Sequence, residues 1–196
     1  ALSLEKNTFS LSDSIYCEEG EFLLSSNKKL HDHEPHALLS LEDIMAYSSN
    51  IGFAKLSDYF NNDDFYKFLK YFGFGTKSFI SLNNESQGII RNAADWSKTS
   101  KNYISIGQEL STTNLQLALA YSVIANGGFL VRPNIIKNVM HTTISTENVF
   151  NKRNYSIRKV ISKKTADLVM QTLDKVIEIG TGKELNLNNY KIAGKT

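Results

Sequence analysis

Between Ser162 and Gly180 the apolar residues Ala166, Val169, Met170, Leu173, Val176 and Ile177 recur at helical spacing along one side only. A helix of that kind has to lay its stripe on another element to remove it from water. Ser162 stands where a hydroxyl can cap the first free N–H groups. Before it, Phe129 to Arg132 and Ile135 to Met140, split by Pro133, read as a strand turning into another, and Tyr155 to Ile161 as a further one. A last strand is expected at Tyr190 to Ala193, ending in Gly194-Lys195-Thr196. A second helix is marked by Leu115, Ala118, Leu119, Ser122 and Ala125, with Thr112 or Thr113 as cap and Asn126-Gly127-Gly128 as a left-handed stop.

Nearer the start, Asn7 to Glu34 suits loops and short strands. Ser40 with Asp43 reads as a capping box for a short helix, Leu41 to Tyr47, that Ser48-Ser49-Asn50 interrupts. Ile51, Ala54, Leu56 and Tyr59 then mark one helix, and Phe65, Phe68, Leu69 and Phe72 mark another over Asp63 to Tyr71. Gly73-Phe74-Gly75 stops it, and an irregular stretch containing Trp96 is expected to run to Ser111. Helices in the middle and strands towards the end predict an α+β layout, with helices packed on a mainly antiparallel sheet.

The 196 residues are one domain's worth of chain, 41% hydrophobic and 21% charged, which predicts a real core. Twenty-two basic residues against 20 acidic ones, with no long run of either sign, give nucleic acid no support as a partner. Cys17 is the single cysteine and has no internal disulfide partner. No segment approaches the roughly 18 apolar residues of a membrane helix, and Ala1 to Ser10 lacks the features of a signal peptide. If the parent protein is anchored or exported, the signal is expected upstream.

Tyr47-Ser48-Ser49-Asn50-Ile51-Gly52 and Ala193-Gly194-Lys195-Thr196, in that order and widely separated, resemble the Ser-x-Asn and Lys-Thr-Gly motifs of penicillin-binding transpeptidases. Three further stretches are similar to class B members of that family. They are His31-Asp32-His33-Glu34-Pro35-His36, the run from Ser105-Ile106-Gly107-Gln108 through Thr113 and Leu115-Gln116-Leu117-Ala118 to Ala125-Asn126-Gly127-Gly128, and Gly180-Thr181-Gly182-Lys183. The resemblance extends from Ile15 onward. A three-residue motif recurs by chance in most proteins; five in family order do not.

The resemblance implies a serine β-lactamase-like transpeptidase fold, with residues 1–196 forming part of the domain and the chain cut at both ends. It implies a serine D,D-transpeptidase that cross-links peptidoglycan stem peptides through an acyl-enzyme and is acylated by β-lactams. Acyl transfer needs an activated serine, a donor for the leaving amine and a cation for the substrate carboxylate. By resemblance Ser48 relays the proton, Asn50 bonds the substrate backbone and the catalytic lysine, and Lys195 supplies charge to the carboxylate and to Ser48. Thr196 belongs to the same carboxylate site. No metal or organic cofactor is implied. Stem peptides and β-lactams are the implied ligands, proteins of a division or elongation complex the implied partners, and the outer side of the inner membrane the implied location.

The catalytic Ser-x-x-Lys is the departure from the pattern. Ser25-Ser26-Asn27-Lys28-Lys29 and Ser156-Ile157-Arg158-Lys159 contain the spacing but not in the family's place, so the nucleophile is expected upstream of Ala1 and the isolated chain is expected to be inactive. A non-catalytic sensor of penicillin, or a degenerate scaffold of the cell-wall machinery, is the competing reading. Ser48 and Asn50 also suit a plain turn and cap, Lys195 a solvated strand end, and His31, His33 and His36 a metal site. A nucleotide-binding loop ending in Gly194-Lys195-Thr196 fails, because Asn189 stands where a glycine is required and no helix follows.

Overall fold

The computed structural model describes residues 1–25, 27–135, 156–185, 187 and 189–196. In chain order the elements are α1 (Leu2–Glu5), β1 (Ser14–Tyr16), β2 (Glu21–Ser25), β3 (Lys28–His31), β4 (Leu38–Ser40), α2 (Leu41–Ala46), α3 (Asn50–Asp58), α4 (Asn62–Tyr71), α5 (Ser100–Ser105), α6 (Asn114–Ala125), β5 (Phe129–Val131), β6 (Ser156–Lys159) and α7 (Lys163–Glu178). The α+β layout holds, and pairing among the described strands is antiparallel. They form three separate two-stranded ladders, β1 with β4, β2 with β3 and β5 with β6.

The helices begin where side chains can satisfy their free N–H groups. Ser40 accepts from Asp43 N–H at 3.1 Å, Ser49 from Gly52 N–H at 2.9 Å, Asn61 from Asp64 N–H at 2.7 Å and Ser162 from Thr165 N–H at 3.1 Å. Thr113 and Gln116 make a reciprocal capping box at α6. Each such cap contributes about 1 kcal/mol. At α2 the box is incomplete, because the Asp43 carboxylate accepts from the Ser40 hydroxyl instead of its backbone.

Helix α7 runs beside both larger core clusters. Val169 and Leu173 join Leu4, Ile15, Leu39, Ile44 and Ile51, while Ala166 joins Phe72, Val123, Leu130 and Ile161. Burying a Val or Leu side chain in this way contributes about 1.5–3 kcal/mol. Thr165 and Thr172 are buried on α7 while Met170 is only partly covered, so the buried stripe is broader and less apolar than expected. The Thr172 hydroxyl donates to the Val169 carbonyl at 2.7 Å, which makes its burial tolerable.

Three expectations need correction. On α6 the buried residues are Gln116, Ala120 and Val123, and Ala118 and Ala125 are exposed. Nearly all of that helix is apolar, so periodicity does not fix its inward face, and Gln116 goes inside because its amide reaches Thr76 O and Gln87 O. The stretch expected to be irregular contains α5, of whose three buried residues Ser100 and Asn102 are polar and only Ile104 is apolar, which leaves no apolar period; Asn102 donates to Ala54 O at 3.0 Å and Asp58 Oδ1 at 2.8 Å. Tyr190 to Ala193 is not a strand. It lies along α7, where Gly194 N–H donates to Leu173 O at 3.3 Å, and no described strand lies beside it to complete a ladder. The strand expected at Ile135 to Met140 falls, after Ile135, outside the described residues. No helix among the described residues is long and apolar enough to cross a membrane.

Candidate active site

Helix α2 stops at Ala46 and α3 starts at Asn50, so Tyr47, Ser48 and Ser49 must reverse the chain in three residues. Ser48 does this with φ of 59°, a left-handed conformation that costs a residue with a Cβ roughly 1–2 kcal/mol. Its surroundings hold it there. Ser48 N–H donates to Met45 O at 3.3 Å and Ser49 N–H to Ile44 O at 3.0 Å, while the Ser49 hydroxyl caps α3. Gly52 lets the two helices close up, since a Cβ there would lie 2.6 Å from Ile44 Cγ1.

Lys195 reaches this turn from 147 residues away, and its Nζ donates to Ser48 Oγ at 2.8 Å. The same ammonium donates to the Thr196 carbonyl at 2.7 Å. Burial lowers the Lys195 pKa below the 10.5 of an ordinary lysine, because a desolvated ammonium gives up its proton more readily. Residues 180–182 pass over the C-terminal end of α2: Thr181 N–H donates to Ala46 O at 3.1 Å. A Cβ on Gly180 would meet that same Ala46 carbonyl oxygen at 2.1 Å, so only glycine allows the approach. The Thr181 hydroxyl is hydrogen-bonded to the Thr196 hydroxyl.

On the other side of Ser48, the Asn50 Nδ2 donates to His31 O at 2.9 Å. Asp32, the next residue, accepts from Ser49 Oγ at 2.5 Å through one carboxylate oxygen and from Ile51 N–H at 3.0 Å through the other. Ser48, Asn50, Lys195 and Thr196 thus converge on one turn, with Lys195 and Thr196 on one flank and the loop after β3 on the other. Asp32 and Thr181 are the residues that sequence reasoning missed. Both lie inside stretches that carry the family resemblance, and neither has a spacing that announces a role.

The histidines do not gather. His31 Nδ1 lies 3.7 Å from Glu21, and His36 stacks on Tyr47 with ring centres 5.0 Å apart; among the described residues no group of three or more His, Cys, Asp or Glu is arranged to hold a metal ion. Of the two Ser-x-x-Lys spacings, Ser156 and Lys159 lie on strand β6, where residues three apart point to opposite faces. Lys28 of the other donates to Thr99 Oγ1 at 3.3 Å. A cavity of about 720 Å³ lined by Tyr71, Phe72, Leu130, Ile157 and Arg158 shares no residue with the Ser48 turn. Volume and chemistry point to different places, and the convergence of functional groups is the better guide.

A family model described as the penicillin binding protein transpeptidase domain matches residues 1–196. Penicillin-binding protein PbpB of Mycolicibacterium smegmatis is 35% identical over 162 residues, covering 78% of this chain and 24% of the relative. Stage V sporulation protein D of Bacillus subtilis is 29% identical over 161 residues, covering 82% and 25%. The chain therefore spans about a quarter of the length of these relatives. Among solved structures, penicillin binding protein 3 of Mycobacterium tuberculosis complexed with ampicillin superposes with a TM-score of 0.87 at 30% identity, over 98% of this chain and 44% of that one. A Burkholderia ambifaria structure described as a peptidoglycan glycosyltransferase shares the fold, with a TM-score of 0.88 at 22% identity over 99% of this chain and 58% of that one.

Proposed function

The chain belongs to the penicillin-binding-protein transpeptidase family, and from that premise we propose that it forms part of the catalytic domain of a serine D,D-transpeptidase that cross-links peptidoglycan stem peptides. The observation that carries this reading is the 2.8 Å hydrogen bond from Lys195 Nζ to Ser48 Oγ. A hydroxyl held by an ammonium can pass a proton between a nucleophile and a leaving amine. The reaction has two halves. A serine supplied by another part of the protein attacks the carbonyl of the penultimate D-alanine, the terminal D-alanine leaves with a proton relayed through Ser48, and an amine of a second stem then takes the acyl group. Lys195 faces the departing carboxylate, with Thr196 beside it, and Asn50 aligns the peptide backbone. A β-lactam enters the same path and stops at the acyl-enzyme, and the ampicillin complex of the Mycobacterium tuberculosis relative supports that ligand class.

A position on the outer side of the cytoplasmic membrane fits this substrate. So do partners from a division or elongation complex; stage V sporulation protein D among the relatives supports a sporulation-type role equally. The test is acylation of the full-length protein by a fluorescent penicillin. One label per molecule, with a rate at least about 100-fold lower in Ser48→Ala, is expected for a proton relay. A folded full-length protein that takes no label would leave a scaffold protein instead.

A further inference from the structure

The middle residue of Ser48-Ser49-Asn50 is buried, 1% exposed, and its hydroxyl is fully engaged. It accepts from Gly52 N–H at 2.9 Å and donates to Asp32 Oδ2 at 2.5 Å. Asp32 Oδ1 accepts from Ile51 N–H at 3.0 Å, and the carbonyl of the preceding residue, His31, accepts from Asn50 Nδ2 at 2.9 Å. Ser49 and Ile51 are therefore tied to Asp32, the first residue of the loop after β3, and Asn50 to His31, the last residue of β3. That loop is itself anchored, since Asp32 N–H donates to Gly20 O at 3.1 Å. The carboxylate also sits at the N-terminal end of α3, where negative charge is favoured by the free N–H groups. Ser48 precedes this clamp directly and holds the left-handed conformation, which persists only where its surroundings fix it.

We infer that Asp32 is a positioning residue for acyl transfer: acting through Ser49 and the N-terminus of α3, it fixes the Ser48 hydroxyl opposite Lys195 and turns the Asn50 amide towards the substrate. The inference rests on the proposed roles of Ser48 and Asn50. Asp32 uses both carboxylate oxygens as acceptors. Asparagine keeps the volume and can still accept from Ile51 N–H, but its NH₂ group would then face Ser49 and have to donate to it, so the short charge-assisted bond from the Ser49 hydroxyl is lost or reversed. Asp32 makes no contact with Lys195, so its effect is on geometry and not on the lysine's charge.

The experiment uses the full-length protein and fluorescent penicillin, with the maximal acylation rate constant separated from the apparent affinity. Asp32→Asn is expected to lower the rate constant about 10- to 100-fold, the scale of an ångström-sized misplacement, with apparent affinity changed by less than about threefold. Ser49→Ala should give a similar loss, and the double variant should lose clearly less than the two single losses combined, because the Ser49–Asp32 hydrogen bond is common to both while the bonds from Ile51 N–H and Gly52 N–H are not. Wild-type rate in folded Asp32→Asn, additive losses, or a loss confined to affinity would overturn the inference. If Asp32→Asn does not fold, Ser49→Ala decides alone, and a wild-type rate in it has the same force. Ser48→Ala is the control that separates the two readings. If it keeps the wild-type rate, the proposed function fails; if it loses activity while Asp32→Asn and Ser49→Ala do not, only the clamp fails.

Discussion

Lys195 illustrates how one side chain can carry charge to a site and yet hold its proton less tightly than an exposed lysine does. Its burial disfavours the ammonium, so its pKa lies below 10.5, and the folded state binds this proton less tightly than the unfolded chain does. Stability contributed by this group therefore rises as pH rises from the folded pKa towards the unfolded one. Function runs the other way, because a neutral amine attracts no carboxylate. Acylation of the full-length protein by a carboxylate-bearing penicillin is expected to decline on an alkaline limb whose midpoint lies below 10.5. Lys195→Gln should remove that limb while lowering the rate about 10²-fold or more, as losing a charged donor in a desolvated site does. A pH–rate profile of the two proteins checks this, and an unchanged alkaline limb in the variant would assign it to another group. Ser48, Asn50, Lys195 and Thr196 were legible as candidates in the sequence because family order singled them out. Asp32 was not, since nothing in a single carboxylate between two histidines announces hydrogen bonds to Ser49 and Ile51.

At the scale of elements, helices α2 and α3 meet so closely at Gly52 that their packing can be tested with one methyl group. A Cβ at that position would stand 2.6 Å from Ile44 Cγ1 and 2.8 Å from its Cδ1 and Cγ2, and Ile44 is fully buried with little room to yield. Gly52→Ala is expected to destabilise the fold by about 1–3 kcal/mol, the usual scale of overpacking. Adding Ile44→Ala, which removes all three colliding carbons, should leave the double variant less destabilised in chemical denaturation than the sum of the two single variants. A second contact holds α2 to α7: Lys175 Nζ lies 2.8 Å from Glu42 and 2.9 Å from Asp43. Burial alone would raise the Asp43 pKa, but the Ser40 hydroxyl and Lys175 outweigh it and hold it below 3.8, whereas the hydrogen bond to Glu42 leads the rise of Lys175 above 10.5. The contribution of Asp43 is present above its ordinary pKa and lost as pH falls through the depressed one; that of Lys175 is present below 10.5 and lost as pH rises through the elevated one. Thermal melts should show Lys175→Met destabilising the protein between those limits, with a smaller cost once pH has fallen through the depressed Asp43 pKa. The caps Ser40, Thr113 and Ser162 were readable from sequence because they are local signals, whereas the cap at Asn61 and the helix α5 were not read. The inward face of α6 was not, because in an almost wholly apolar helix only the neighbours decide which side is covered.

Across the whole molecule, α7 is the element that ties stability to the site. Its Leu173 side chain lies in the core cluster with Ile44 and Ile51, which underlie the Ser48 turn. Its Leu173 carbonyl receives Gly194 N–H at 3.3 Å, one residue before Lys195. The sequence revealed the apolar stripe of α7 but suggested that Tyr190 to Ala193 would be a strand, since Tyr, Ile and Ala between polar residues read as one. Docking on a helix leaves no periodic trace in the segment that docks. A consequence follows for Leu173→Ala in the full-length protein. Removing three buried carbons from a packed core should cost about 2–5 kcal/mol, a fall in Tm of several degrees or more for a domain of this size. The backbone carbonyl that holds Gly194 remains, but the α7 surface on which residues 190–194 lie is no longer filled from beneath. Lys195 should then sample positions away from Ser48, so the acylation rate should fall even at a temperature where the variant is fully folded. Val123→Ala, in the cluster with Phe72, Leu130 and Ile161, serves as the comparison. It should lower Tm and leave the acylation rate near wild type. If both variants lose rate in proportion to stability, the site depends on the fold as a whole; loss of rate in Leu173→Ala alone would identify α7 as the route from core to Lys195.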